Sequence, residues 1–296
     1  MGGYSGGALA RAGNDVSLYV RGEHLAAIRS GGLEVREPKD SFRASVSATD
    51  RPKDLGPADL VLVAVKSYSV AEIAPVASRL AEQGAVVLPL LNGVDAFESL
   101  AERGVPAERM LAGLTVISAA RVAPGVIERR SDFWSVVVGE RNGSASDRAE
   151  AVAAAFRHAG ADARVSSNIE LDLWQKFLFL AALAAACGLA RAPIGAVRKA
   201  PQGTLLLERA VREIGAVARA RSVGLPAGAE DSVLERIAAL PAGMKPSFLL
   251  DLERGGPNEL DVLSGAVSRM GREAGVATPV HDTALTALTP PARWKH

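Results

Sequence analysis

The sequence contains few of the residues that bind metal ions or form disulfides. Among its 296 residues there are four histidines and one cysteine, Cys187. A single cysteine excludes an internal disulfide framework and is typical of a protein from a reducing compartment. The histidines are scattered and lack the spacing of a metal site. We therefore predict a cytoplasmic protein that holds no metal.

The sequence also lacks a strong net charge and a long apolar run. The formal net charge is +1, which provides no general attraction for nucleic acid or anionic lipid. The longest apolar stretch, residues 177–190, covers about 14 residues, whereas a membrane-spanning helix needs ~20. The first residues do not show the basic segment and apolar run of a signal peptide. We expect neither nucleic acid nor a membrane among the partners.

The first half of the chain alternates between strand and helix patterns. Residues 58–65 form a continuous apolar run, which is expected for a strand buried on both faces of a parallel sheet. The alternation therefore predicts that residues 1–166 form a Rossmann-type α/β domain with a doubly wound parallel sheet. The predicted strands are 16–20, 58–65, 85–91, 111–118 and 133–139, and the predicted helices are 23–29, 70–82 and 95–103.

The second half, residues 167–296, predicts an all-helical domain. Strand patterns are nearly absent there, and prolines fall between or at the starts of the helical segments, as helix boundaries require. The predicted helices are 170–190, 202–222, 229–239, 258–274 and 282–288.

The N-terminus looks incomplete for such a fold. Gly2 and Gly3 open a predicted helix that ends near Gly13. In a dinucleotide-binding unit, a buried strand and a G-x-G-x-x-G turn come before this helix, and the turn receives the pyrophosphate. Only the last glycine of such a turn fits here. The pattern predicts that the first strand of the sheet is missing and that Met1 is a mis-assigned start.

Three polar residues follow predicted strands. Arg21 stands where an acidic residue otherwise holds a ribose hydroxyl, and a basic residue there suits the 2′-phosphate of NADP. Lys66 and Asn92 end two consecutive strands, where ligand contacts are favoured. The alternatives are that Arg21 is a solvated loop residue, that Lys66 is an ordinary charged strand terminus and that Asn92 is a turn residue beside Gly93.

Three more candidates lie in the helical half. Lys176 is in a helix that is apolar nearly all round, and burial lowers the pKa of an ammonium toward values useful for proton transfer. Alternatively its stem packs while its amine reaches water. For Ser247 and Glu259 the alternative to a functional role is helix capping.

From residue 2 to about 288, the chain resembles the ketopantoate reductase family. The resemblance implies an NADP-dependent enzyme with an N-terminal Rossmann domain and a C-terminal helical domain. It is carried by several segments that occur in the family's order and spacing: Gly2-Gly3-Tyr4, Ala12-Gly13, VAVKSYS around Lys66, LLNGVD around Asn92, LWQKF around Lys176, SFLLDLERGGPNELD with Ser247 and Glu259, and ATPVHDT at 277–283.

The resemblance also implies roles for the candidate residues. Lys176 matches the general acid that protonates the 2-oxo group of the substrate, and Glu259 matches the carboxylate that helps hold substrate and order the lysine. Asn92 and Ser247 match substrate contacts. The matches for NADP contacts are Gly2, Gly3, Arg21, Lys66 and, again, Asn92. The implied reaction is the reduction of 2-dehydropantoate to pantoate with NADPH, and a homodimer is left open.

Two positions depart from the family pattern. Enzymes of this family that act on ketopantoate often carry asparagines one and two turns after the lysine, where this chain has Leu180 and Ala184. An apolar pocket discriminates weakly between substrates, so a different, more apolar 2-oxo acid is an alternative. The incomplete glycine turn leaves a further alternative, a non-catalytic or defective member of the family.

Overall fold

The computed structural model describes residues 1–289, and they form two compact units. The first unit comprises residues 1–65, 69–91 and 97–169. The second comprises the helical half from Glu170 onward together with two short segments, residues 66–68 and 92–96. Lys66 and Asn92 therefore belong to the second unit, although each follows a strand of the first. Residues 290–296 of the predicted helical domain lie outside the described part.

The first unit is built from helices and short strands. Its helices are α1 (Gly2–Arg11), α2 (Gly22–Gly31), α3 (Val70–Glu82), α4 (Ala96–Ala101) and α5 (Asp147–His158). Its strands are β1 (Ser17–Tyr19), β2 (Leu33–Arg36), β3 (Ser41–Ala44), β4 (Ser47–Thr49), β5 (Leu60–Val63), β6 (Val86–Pro89), β7 (Ala112–Val116), β8 (Ala119–Ala123), β9 (Val126–Arg129), β10 (Ser135–Gly139) and β11 (Asp162–Val165).

The predicted α/β class of this unit is confirmed, but the prediction of one parallel sheet is wrong for the described residues. The strands form two parallel pairs, β1–β4 and β5–β6, and two mixed sheets, β11–β10–β7 and β3–β2–β9–β8. Antiparallel pairing joins β2 to β3, β8 to β9 and β7 to β10. Strands β8 and β9 are joined by a tight turn in which Gly125 has φ +74°, a conformation that favours glycine. Such short hairpin strands lack the long apolar runs on which the prediction rested.

Helix α1 packs closely on the mixed four-stranded sheet through its glycines. A Cβ atom on Gly3 would lie 2.9 Å from Ile127 Cγ1, and one on Gly7 would lie 2.7 Å from Val35 Cγ2. Glycine is the residue that permits this approach of helix to strand. The glycine-rich start of the chain is thus explained in part by packing.

The second unit contains seven described helices. They are α6 (Ile169–Ala190), which starts at the last residue of the first unit, and α7 (Ile194–Lys199), α8 (Gly203–Ala220), α9 (Ala229–Ala238), α10 (Ser247–Arg254), α11 (Ser264–Ala274) and α12 (Pro279–Leu288). Helix α6 is long and apolar enough to cross a membrane, but 67% of its most apolar stretch is buried inside the protein. This burial is typical of the core helix of a globular fold.

The predicted helix over residues 258–274 begins only at Ser264. The amide oxygen of Asn258 accepts the backbone N–H of Leu260 at 3.1 Å. Such a local hydrogen bond competes with helical backbone bonding, and residues 260–263 form a turn before the helix begins. Glu259 therefore lies outside the helix, and the capping alternative for it is wrong.

Candidate active site

A buried carboxylate, that of Glu259, lies at the centre of a cluster of polar residues in the second unit. Glu259 is 4% exposed. Its Oε2 accepts hydrogen bonds from Lys66 Nζ at 2.9 Å and from Asn92 Nδ2 at 3.2 Å. Its Oε1 accepts the backbone N–H of Ser67 at 3.3 Å. These donors compensate for the lost hydration of a buried charge.

Lys66 binds two carboxylates at once. Besides Glu259, its Nζ donates to Asp251 Oδ2 at 2.7 Å. Burial of the amine acts to lower the pKa of Lys66, but the charges and hydrogen bonds of the two carboxylates outweigh it and raise that pKa above its ordinary value. Lys66 is therefore held as a cation, and its charge balances part of the negative charge of the cluster.

Lys176 has a different environment. It is partly buried on α6, and its Nζ donates a hydrogen bond to Asn92 Oδ1 at 3.3 Å. Burial lowers the pKa of the Lys176 ammonium to about 8, and the negative charge of Glu259 opposes that shift. An ammonium with this pKa can release its proton near neutral pH, which is what a general acid requires.

The segment that carries Asn92 is fixed to the helical unit at two further points. Gly93 has φ +101°, and a Cβ atom there would lie 3.2 Å from the carbonyl oxygen of Val262. Asp95 Oδ2 accepts a hydrogen bond from Arg269 Nη2 of α11 at 2.7 Å. The alternative that Asn92 is only a turn residue does not account for its contacts, because it bridges Lys176 and Glu259.

Ser247 and Asp251 lie one turn apart on α10. Ser247 is the exposed first residue of this helix, and the N-cap is Pro246, so the capping alternative for Ser247 is not observed. Asp251, which the sequence analysis missed, binds Lys66. Asp251 follows Ser247 by four residues on a helix whose Phe248 and Leu249 are buried. Residues four apart lie on the same face of a helix, and this spacing is the signal that could have identified Asp251.

The other predicted cofactor residues belong to the first unit. Gly2 lies at the start of α1, where a Cβ atom would lie 3.2 Å from that of Ala64, and Gly3 follows it. Arg21 comes just after β1 and precedes α2. Its guanidinium forms an ion pair with Glu72 of α3 and lies 5.6 Å from the centre of the Tyr19 ring.

This arrangement fits a dinucleotide. The close-packed N-terminus of α1 presents backbone N–H groups that suit a pyrophosphate. The exposed guanidinium of Arg21 suits a phosphate on the ribose. Within residues 1–289, no group of three or more His, Cys, Asp or Glu side chains could hold a metal ion.

The two departures from the family pattern lie on the same helix as Lys176. Leu180 follows it by one turn and is partly exposed, whereas Ala184 follows by two turns and is 1% exposed. Neither side chain can donate or accept a hydrogen bond. Leu180 therefore offers apolar surface one turn beyond the lysine, whereas Ala184 is packed in the core.

Comparisons with known proteins agree over nearly the whole chain. Residues 1–143 match the family model described as ketopantoate reductase PanE/ApbA, and residues 168–291 match its C-terminal model. A curated 2-dehydropantoate 2-reductase from Halobacterium salinarum is 36% identical over 285 residues, which cover 95% of this chain and 92% of the relative.

Two solved structures are also similar. A PanE/ApbA family ketopantoate reductase from Ralstonia eutropha JMP134 has a TM-score of 0.88 and 28% identity, covering 97% of this chain and 93% of the other. A D-mandelate dehydrogenase in complex with NADH has a TM-score of 0.84 and 25% identity, covering 97% and 94%.

These matches do not support the prediction of a lost N-terminal strand and a mis-assigned start. The family model matches from residue 1, and the chain covers 92–94% of the three relatives. The glycines on which that prediction rested pack α1 against the neighbouring strands.

Proposed function

Because this chain belongs to the ketopantoate reductase PanE/ApbA family, we propose that it reduces 2-dehydropantoate to pantoate with NADPH. The comparisons support an oxidoreductase of this family with a nicotinamide cofactor. The observation that carries the proposed reaction is the environment of Lys176, whose Nζ donates to Asn92 Oδ1 beside Glu259 and whose pKa burial lowers to about 8.

The proton comes from Lys176. Reduction of a ketone places negative charge on its oxygen, and an ammonium that touches this oxygen stabilises the charge and supplies the proton. The nicotinamide, when bound, supplies the hydride. Asn92 orients the Lys176 amine through its Oδ1. Glu259 keeps the lysine protonated through its negative charge, which raises the pKa against the effect of burial.

The 2-oxo acid also carries a carboxylate that needs a partner. The Ser247 hydroxyl is exposed at the first turn of α10 and supplies a donor for it. Backbone N–H groups at the start of a helix add to the attraction for an anion. Lys66 contributes a cation that neutralises Asp251 and Glu259, so that an anionic substrate meets less repulsion.

Three residues of the first unit bind the dinucleotide. Gly2 and Gly3 at the start of α1 take the pyrophosphate, and Arg21 takes the 2′-phosphate that distinguishes NADP from NAD. Contacts of Lys66 and Asn92 with the cofactor stay predictions, as do the homodimer and the cytoplasmic location.

A second substrate class is favoured by α6. Leu180 places apolar surface one turn beyond Lys176, and the buried Ala184 adds no polar group one turn further along. This suits a 2-oxo acid with a larger apolar side chain. The structural relative named D-mandelate dehydrogenase shows that this fold accommodates activity other than ketopantoate reduction. Our primary proposal keeps 2-dehydropantoate, because the curated relative with 36% identity carries that name.

A substrate panel tests the proposal. Oxidation of NADPH is followed with 2-dehydropantoate, with an aliphatic 2-oxo acid and with an aromatic one, and kcat/KM ranks them. Lys176→Ala should reduce turnover by about 10²–10⁴-fold, the usual effect of losing an acid–base group. Lys199→Ala, an exposed lysine of α7, is the control. Absence of turnover with every 2-oxo acid would refute the proposal and favour the non-catalytic alternative. A Lys176→Ala variant as active as the parent would refute the role of Lys176 as the general acid.

A further inference from the structure

Arg21 is not free in the structure, because it forms an ion pair with Glu72 in the first turn of α3. Both side chains are about half exposed, at 53% and 54%. The Tyr19 ring lies beside the guanidinium, 5.6 Å from centroid to Cζ. An ion pair as exposed as this contributes little to folding. Its position after β1 makes it relevant to cofactor binding instead.

The end of this strand is where a dinucleotide-binding domain distinguishes its two cofactors. A carboxylate there accepts hydrogen bonds from the ribose hydroxyls of NADH, whereas a cation binds the 2′-phosphate of NADPH. This chain provides both groups in contact with each other, the cation from Arg21, two residues after the strand, and the carboxylate from a neighbouring helix. Arg21 therefore does not decide the cofactor preference alone.

Of the two cations that the sequence assigns to NADP, only Arg21 lies next to a single carboxylate. The Lys66 amine is engaged by both Asp251 and Glu259. A 2′-phosphate must therefore bind to an Arg21 whose guanidinium already has a negative partner, and its own charge of nearly two is repelled by that partner.

We infer that Glu72 is a specificity-determining residue that weakens the preference for NADPH and allows NADH to bind at the same site. The inference rests on the proposed cofactor role of Arg21. With NADPH, the carboxylate competes with the phosphate for the guanidinium. With NADH, it accepts a ribose hydroxyl, and Arg21 stays paired.

The test measures dissociation constants for NADPH and NADH by quenching of protein fluorescence, at low and at moderate salt. Glu72→Gln should tighten NADPH by about 3- to 10-fold, as expected for removing one like charge at a partly exposed site. NADH should bind equally or more weakly. Arg21→Ala should weaken NADPH by about tenfold or more through loss of a charge-assisted contact, and Glu72→Gln should then have a smaller effect in the Arg21→Ala background.

Glu82→Gln is the matched control. It removes the same charge from the last residue of the same helix, where the side chain is exposed, and should leave both constants unchanged. If the parent protein binds both cofactors and Glu72→Gln leaves their ratio unchanged, this inference is overturned and the proposed function stands. If the parent binds neither cofactor, the proposed function fails and this inference fails with it.

Discussion

The ammonium of Lys176 donates its hydrogen bond to the amide oxygen of Asn92, with 3.3 Å between Nζ and Oδ1. An amide carries no charge, so this bond orients the amine without forming an ion pair. The proton affinity of the lysine is then set by two opposing effects, burial and the nearby charge of Glu259. Both can be changed by mutation.

The first prediction concerns the pH dependence of turnover. A general acid must carry its proton, so kcat/KM for 2-oxo acid reduction should be level below the pKa of Lys176, about 8, and should fall at higher pH. Glu259→Gln removes a negative charge that favours the ammonium, which lowers the pKa. The descending limb should therefore move to lower pH in this variant. Glu253→Gln removes an exposed carboxylate of α10 and should leave the pH at which kcat/KM falls unchanged. If that pH is also unchanged in Glu259→Gln, the role of Glu259 is contradicted.

The second prediction concerns stability. Lys66→Met removes the cation that two carboxylates share. Glu259, at 4% exposure, loses its ion pair, and Asp251 keeps only Arg254 at 3.5 Å. We expect the free energy of unfolding in urea to fall by about 1–3 kcal/mol, less than for a fully buried pair because the Lys66 side chain is 38% exposed. Lys53→Met at an exposed position is the control. Adding Glu259→Gln to Lys66→Met should recover part of the loss, and a purely additive loss would argue against charge pairing.

The third prediction treats Arg269 as a positioning residue for Asn92. Arg269→Ala removes the partner that Asp95 has on α11, so the segment bearing Asn92 is held less firmly. We expect KM for the 2-oxo acid to rise by about two- to fivefold, the range of an exposed ion pair, with a smaller change in kcat. Arg269→Lys should restore part of the effect.

Glu273→Gln is the control for Arg269. It removes a partner of Arg269 that lies 3.8 Å away on the same helix, and a partner of Arg221 at 3.5 Å, but leaves the contact of Arg269 with Asp95 in place. If Arg269→Ala has the same KM as the parent at low salt, Arg269 is not needed to position Asn92. The contact of Gly93 with Val262 would then be sufficient.

The fourth prediction concerns acid sensitivity at His281, which is fully buried. Its Nε2 lies 3.1 Å from the Ala210 carbonyl and its Nδ1 lies 3.2 Å from the Ser264 hydroxyl. A carbonyl only accepts, so Nε2 carries the hydrogen and Nδ1 accepts from the hydroxyl. Burial lowers the pKa of His281 to about 4. The neutral ring is therefore the form that fits this site.

An unfolded histidine takes up a proton near pH 6.5, whereas folded His281 resists protonation down to about pH 4. The unfolded state therefore binds more protons in that window, and stability should fall by up to about 3 kcal/mol as pH falls through it. Urea unfolding between pH 7 and pH 4 should show a shallower loss in His281→Gln than in the parent or in the exposed control His158→Gln. Glu213, whose pKa burial raises, has the opposite dependence but is retained in all three proteins. Equal slopes would show that His281 does not cause the acid sensitivity.

Periodicity located three of the long helices well, although α5 (Asp147–His158) was not predicted. The predicted helices 70–82, 170–190 and 229–239 correspond to Val70–Glu82, Ile169–Ala190 and Ala229–Ala238, because apolar spacing over three or more turns leaves few alternatives. Helix α10 was not predicted, although it carries Ser247 and Asp251. It is only eight residues long, too short for a periodic pattern to stand out.

Most residues of the candidate site could be predicted from the sequence, but the contacts between them could not. Lys66 and Asn92 were identified by their places after strands, and Lys176 by its apolar helix. No pattern in the sequence indicated that Lys66 binds Glu259, which is 193 residues away, or that Arg21 forms an ion pair with Glu72. Such pairs depend on tertiary packing, which brings together residues that no local pattern connects.

The assignment of residues 66–68 and 92–96 to the helical unit limits how this protein can be recombined. A separately expressed fragment that starts at Glu170 would contain Lys176, Asp251 and Glu259 but neither Lys66 nor Asn92. A chimera that exchanged this fragment for that of a relative would pair the carboxylates of one protein with the lysine and asparagine of another. Exchange of whole catalytic sites between relatives therefore requires three stretches of chain, two of them only a few residues long.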